Sequence, residues 1–483
     1  MSRNEQLRDE YELLVGGEHQ AADSGETLTI RNPATEAELT RVAAGGETDI
    51  DRAIDSAREA CETWSRTDPP ERGRILRSVA DAIRDESDRL EQIETLENGM
   101  PLSVAEFDVG ACARYFEYYA GVADKIEGES IPLGEEYVDY TVREPLGVTA
   151  QITPWNFPVG IFGRSVAPAL AAGNVSVTKP AEATPVSTLA IAELAHEAGI
   201  PAGVLNVIPG YGDSAGAALT SHGDVDGFSF TGSRPTGIDV VKSAAENVTQ
   251  AHLELGGKNP NVVYPDANVK TAIDSTIRSI FTLHSGQTCS AGDRLIVHES
   301  IHDEFVERLC DRVEKLTIGP GTDDNDISPI ATEDQYEKVT KYIDVGRTEV
   351  GEPITGGETV NGPGFFVEPT IFDGATNDMR IAQEEIFGPV LPVITFADED
   401  EALSLANDTE YGLVAGVFTD DIGRAHRFAR EVDAGQIYIN EWFAGGAETP
   451  FGGFKKSGFG REKGLEALEA YTQSKNVCAR IDL

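Results

Sequence analysis

At 483 residues the chain is too long to fold around one hydrophobic core, so two or three domains are expected. Its 39 basic against 83 acidic residues give a formal charge of −44, a field that opposes nucleic acid binding and repels anionic partners at low salt. Five scattered cysteines and eight histidines, with no CxxC or HExxH spacing, fit neither a disulfide framework nor a metal site.

The acids are spread along the chain, as in DRAIDSAREACE and GTDDND, and no lysine precedes Lys125. This reads as a solvated acidic surface suited to the high-salt cytoplasm of a halophile. No run of 18 apolar residues and no leader-like N-terminus occurs, so a cytoplasmic protein with no membrane partner is expected.

Residues 1 to 50 alternate short segments with turns such as VGGE and RNPAT and predict a β-rich entry. From Glu47 to Gly99 apolar residues recur at helical spacing and are broken by DPPERG, which predicts two amphipathic helices. A third is expected over Leu102 to Ala123, and residues 126 to 150 read as two strands.

The chain then alternates strands (Val148–Ile152, Val175–Thr178, Val204–Ile208, Gly227–Phe230) with helices (Ile161–Ala172, Thr188–Ala198), the signature of a parallel sheet flanked by helices. Ligands on such sheets sit beyond the carboxyl ends of the strands. There TPWNFP offers the Asn156 amide, TKPAE offers Lys179 and Glu182, and TGSRPTG offers Gly232 and Ser233 where a helix begins. The turn GYGDSAG, with Gly212, lacks a full GxGxxG fingerprint.

LELGGKNP and SGQTCSA place the Glu254 carboxylate and the Cys289 thiol 35 positions apart, a general base and a nucleophile as covalent catalysis at a carbonyl requires. After Cys289 a second α/β unit is expected, with strands Arg294–His298, Val390–Phe396, Ala415–Phe418 and Gly435–Asn440. A last helix from Gly464 precedes a strand in KNVCARIDL, which needs a partner from residues 130 to 150 or from another subunit.

In this order, TPWNFP, TKPAE, FTGS, LELGGKNP, GQTCSA, EEIFGPV and PFGGFKKSGFGRE resemble the NAD(P)-dependent aldehyde dehydrogenase superfamily over nearly the whole chain. The resemblance implies two α/β domains, a Rossmann-like cofactor domain and a catalytic domain, plus a small β oligomerisation extension. The expected bounds are 1–124 and 145–256 for the NAD domain, 257–455 for the catalytic domain, and 125–144 with 464–483 for the extension of a homodimer or homotetramer.

The resemblance also implies roles. Cys289 attacks a small-molecule aldehyde as a thiolate, its pKa lowered by electropositive surroundings. Asn156 and the Cys289 backbone N–H hold the oxyanion, and Glu254 activates the water that hydrolyses the thioester. Lys179 and Glu182 match adenosine-ribose contacts, Glu385 a nicotinamide-ribose contact, and Phe387 packs near that ring. Ile152, Thr153, Pro154, Trp155, Gly212, Phe230, Gly232, Ser233, Leu255 and Gly256 complete the expected NAD site. Glu182 favours NAD, with NADP left open, because a carboxylate repels a 2′-phosphate.

Substrate is less determined. Arg164, eight residues after Asn156, stands where semialdehyde dehydrogenases for succinate or 2-oxoglutarate semialdehyde carry a carboxylate-binding arginine. Their second arginine is Leu283 here, and the asparagine that commonly follows it is His284. Phe157 and Phe451 are expected as apolar walls. The alternatives to a simple aldehyde are thus a carboxylated semialdehyde held by Arg164, and an idle NAD-binding relative.

Overall fold

The computed structural model describes residues 6–481. The strands Val148–Ile152, Val175–Lys179, Leu205–Val207 and Gly227–Thr231 are buried along almost their whole length, a pattern only the interior of a parallel sheet accommodates. They form the centre of an eight-stranded sheet. Its order is Gly458–Phe459, Gln250–Glu254, Gly227–Thr231, Val148–Ile152, Val175–Lys179, Leu205–Val207, Leu13–Val15 and Glu18–Gln20.

The five middle strands run parallel, and the outer three pair antiparallel. From Val148–Ile152 the chain builds first toward Val175–Lys179 and later toward Gly227–Thr231. The order therefore reverses beside Val148–Ile152, which opens a crevice at the carboxyl ends of two neighbouring strands.

The second sheet has six strands, all parallel, in the order Thr370–Asp373, Val390–Phe396, Arg294–His298, Pro260–Val263, Val414–Phe418 and Gln436–Ile439. It begins before the thiol, where sequence reading had it begin after Cys289. Pro260 masks the central strand Pro260–Val263, being tolerated because it is the first residue of the strand. Thr370–Asp373 also escaped the sequence reading.

Three helices, Glu47–Trp64, Pro69–Asp85 and Ser87–Asn98, replace the two expected before Gly99. DPPERG starts a helix, with Pro69 at its first position, where a missing N–H costs nothing. The second break falls at Glu86, with neither glycine nor proline to mark it.

The C-terminal strand Thr472–Arg480 pairs antiparallel with Tyr137–Pro145 over its full length, the partner expected from residues 130 to 150. Leu133, Tyr137, Val138 and Tyr140 leave apolar surface exposed there. Among the described residues, no helix is long and apolar enough to cross a membrane.

Candidate active site

Glu254 ends its strand beside Gly458, buried at 4% exposure, and Cys289 sits half-buried on the loop that enters Arg294–His298. Two amides join their neighbourhoods. Asn259 donates from Nδ2 to the carbonyls of Cys289 (2.9 Å) and Ala291 (2.7 Å), while its Oδ1 accepts the Val414 N–H. Asn156 donates one Nδ2 proton to the Gln287 carbonyl at 2.9 Å, and its second N–H remains for a ligand. Gln287 is itself pinned, its Oε1 accepting the Ala331 N–H.

Asn156 and Cys289 line a cavity of about 600 Å³ shared with Phe157, Arg164, Phe451 and Lys463. Phe157 starts the helix Pro158–Ala171 and meets the His284 ring edge-on at 5.6 Å. His284 is fully buried, and burial pushes its pKa down to about 3, so it is a neutral wall. Leu283 packs against the same apolar cluster.

Arg164 lines the cavity, yet its Nε pairs with the Glu462 carboxylate and its guanidinium stands over the Phe451 ring at 5.2 Å. Burial, the largest influence, works against its charge, but Glu462, Tyr115, Glu254 and Cys289 together outweigh it and hold the guanidinium protonated. Glu462 also accepts from Ser165 and Ser229. The arginine read as a hook for a substrate carboxylate therefore already holds a protein carboxylate.

The thiol differs from expectation as well. Burial pushes Cys289 up to about 12; Arg164 pulls it down, while Glu385 and Glu254 push it further up. Arg164 does not offset that burial. Glu254 lies well above the usual carboxylate range through burial and then Glu462, against Arg164, Arg461 and Lys463. Its Oε2 has no hydrogen-bond partner among the described residues.

The remaining residues cluster at the crevice of the eight-stranded sheet. Lys179, 3% exposed, reaches Glu182 at 3.4 Å, and Glu182 accepts the Gly212 N–H at 2.7 Å. Thr153, Pro154 and Trp155 follow Ile152, with the Thr153 N–H on the Lys179 carbonyl. Gly232 packs so closely on Phe230 that a Cβ would lie 2.6 Å from its ring. Ser233 caps the helix Arg234–Ala245, and Leu255 fills the space above Gly237.

Glu385 accepts the Gly257 N–H at 3.0 Å and presses on Gly256, where any Cβ would collide with its carboxylate. Burial raises Glu385 to about 7. Phe387 adopts φ +61° and meets Trp155 edge-on at 5.4 Å. The buried hydroxyls of Thr153 and Thr231, at two strand ends of the crevice, have no partner among the described residues.

The family model described as "Aldehyde dehydrogenase family" matches residues 19–477. The chain belongs to the aldehyde dehydrogenase family. This aldehyde dehydrogenase, an oxidoreductase, is 43% identical to a hydroxyisobutyraldehyde dehydrogenase of Mycolicibacterium austroafricanum, with 96% of this chain and 93% of that protein covered. It is 42% identical to a betaine aldehyde dehydrogenase of Bacillus subtilis, covering 96% of each. The NAD+ complex of an aldehyde dehydrogenase from Bacillus cereus superposes with a TM-score of 0.96 at 41% identity, covering 98% of this chain and 97% of that one.

Four residues of this aldehyde dehydrogenase escaped the sequence reading: Asn259, Gln287, Glu462 and Lys463. Asn259 lies in LELGGKNP, Gln287 in SGQTCSA and Glu462 in PFGGFKKSGFGRE, so position in a motif was the available signal. Lys463 lies just outside and carried none.

Proposed function

We propose that the enzyme oxidises an aldehyde to its carboxylic acid with NAD and water, through a covalent intermediate on Cys289. The observation that carries this is the Asn156 amide and the Cys289 thiol lining one cavity, tied together through Gln287, with the buried Glu254 carboxylate near enough to act electrostatically on the thiol.

In this reading the Cys289 thiol gives up its proton to solvent as its sulfur bonds to the aldehyde carbon, and the carbonyl oxygen becomes an oxyanion. The free N–H of Asn156 and the backbone N–H of Cys289 meet it. The chemistry that bound NAD supplies is acceptance of the hydride leaving that carbon, which turns the thiohemiacetal into a thioester. Glu254 then takes a proton from water as the oxygen attacks, and the Cys289 sulfur leaves. A buried carboxylate with a raised pKa is suited to that transfer near neutral pH.

The crevice suits NAD on its own chemistry. The partnerless Thr153 and Thr231 hydroxyls and the Lys179–Glu182 pair offer donors and acceptors where strands end. Lys179 and Glu182 would hold one ribose, and Glu385 beside Gly256 the other. Trp155 and Phe387 would flank the ring.

The pairing of Arg164 with Glu462 removes the ground for a carboxylated semialdehyde held by that arginine. The eight-stranded and six-stranded sheets support an NAD domain of residues 1–124, of which 1–5 lie outside the described residues, with 145–256, and a catalytic domain of 257–455. The exposed apolar residues on Tyr137–Pro145 support an extension of 125–144 and 464–483 that joins a homodimer or homotetramer. The charge of −44 supports a high-salt cytoplasm as its setting.

The test is NADH formation over a panel of aldehydes in high salt. Cys289→Ala should abolish it, and an unchanged rate would refute the covalent route.

A further inference from the structure

Two of the phenyl rings that line the cavity, Phe451 and Phe443, are each already faced by the chain's own cations. Lys463 holds its Nζ 5.1 Å from the centre of the Phe451 ring, which Arg164 also faces at 5.2 Å, and Arg278 faces Phe443 at 5.8 Å. All of these residues line the cavity. An aromatic ring binds a quaternary ammonium group through the same face it offers to a lysine or arginine. On Phe451 and Phe443 that face is taken.

The charges do not cancel. Arg164 is neutralised by Glu462, but neither Lys463 nor Arg278 has an ion pair or a side-chain hydrogen bond among the described residues. The carboxylates within reach do not offset them: Glu448, which faces Lys463, is already paired with Arg114. Asp108 is buried and spends Oδ2 on the Gly160 N–H, Glu106 stands exposed at the rim, and Glu254 is held toward its protonated form by burial. Lys463 adopts a left-handed backbone conformation, φ +60°, uncommon for a residue other than glycine.

We infer that Lys463 and Arg278 make the aldehyde cavity a charge filter that rejects permanently cationic aldehydes and admits uncharged ones. This rests on the aldehyde-oxidising reading of the site. It separates the enzyme from its betaine aldehyde dehydrogenase relative, whose name denotes a quaternary ammonium substrate. Lys463 and Arg278 are thereby specificity-determining residues, acting on the far end of the substrate and not on the reacting carbon.

Lys463 adds a pH signature. Burial and Arg164 push its pKa down to about 8, while Glu462, Glu254 and Cys289 push it up; Glu448 also faces it from the neighbouring loop. Above about pH 8 the lysine loses its charge, so its share of the rejection fades.

The test compares 3,3-dimethylbutanal with trimethylammonioacetaldehyde, which have the same shape and differ by one charge. The ratio of kcat/KM, cationic over neutral, is measured in the wild type, K463M, R278M and K463R. Dividing each variant's ratio by that of the wild type cancels the intrinsic reactivities of the two carbonyls. K463M and R278M should each raise the ratio about tenfold, by loss of one Coulombic repulsion. K463R should hold it near the wild-type value. The wild-type ratio should climb as pH passes about 8, and that of K463R should stay flat. A ratio unchanged within about twofold in both methionine variants, at constant ionic strength, would overturn the filter. Failure of the wild type to form NADH with either aldehyde would instead overturn the functional reading, and the filter with it.

Discussion

Arg164 and Glu462 form a buried ion pair, 8% and 4% exposed, that joins the helix Pro158–Ala171 to the glycine-rich segment near the C-terminus. Removing one partner of such a pair leaves the other charge unpaired in a dry site, at a cost of about 3–5 kcal/mol. Glu462→Gln should therefore lower the unfolding free energy by about that amount, measured by denaturant titration in high salt. An unchanged midpoint would mean that water reaches the guanidinium.

In the proposed reaction Glu254 must be ionised to accept a proton from water, and burial holds its pKa well above the usual carboxylate range. The sign follows directly: as pH falls through that raised value the base is lost, so the acid limb of kcat should lie well above pH ~4.5, the ordinary glutamate range. Glu254→Gln should cut turnover by about 10²–10⁴ while leaving a burst of NADH in rapid mixing, because only the hydrolytic step needs the base. A variant without a burst would place Glu254 before the thioester.

Cys289 in the free enzyme is pushed up to about 12 by burial. Alkylation by iodoacetamide without NAD should be slow at pH 7 and rise about tenfold per pH unit up to pH 10, following the thiolate fraction. A plateau below pH 8 would restore the low thiol pKa that the sequence suggests.

Glu182, which accepts from Gly212 and pairs with Lys179, would meet the 2′-phosphate of NADP with a like charge. The preference for NAD should therefore narrow in Glu182→Gln, measured as the ratio of kcat/KM for the two cofactors. An unchanged ratio would move the selectivity elsewhere.

A charge of −44 on one chain repels itself at low ionic strength. Screening acts over about 10 Å at 0.1 M salt and about 3 Å at 1 M, so Tm should rise steadily with KCl over that range. A flat Tm would show that local pairs such as Arg424 with Asp266 and Glu399 already absorb the repulsion.

Much of the fold was legible because its signals are local. Short β-branched runs such as Val175–Lys179, alternating with helices, read as interior parallel strands, and TPWNFP, TKPAE and FTGS stand at strand ends whatever the rest does. The misses are equally physical. Glu86 turns the chain without a breaker residue, and Pro260 hides a central strand because only its first position tolerates proline.

The sequence alone determined which residues are the candidates for the chemistry: Cys289 and Glu254 lie in short motifs whose residue types suggest a nucleophile and a base, and the family resemblance adds Asn156 as an oxyanion donor. Only the tertiary structure decided their electrical state. Burial, not any neighbour in sequence, lifts Cys289 and Glu254, and Arg164 finds its counter-ion in Glu462, 298 positions away. Desolvation and ion pairing depend on what surrounds a group in space, and no spacing along the chain records that.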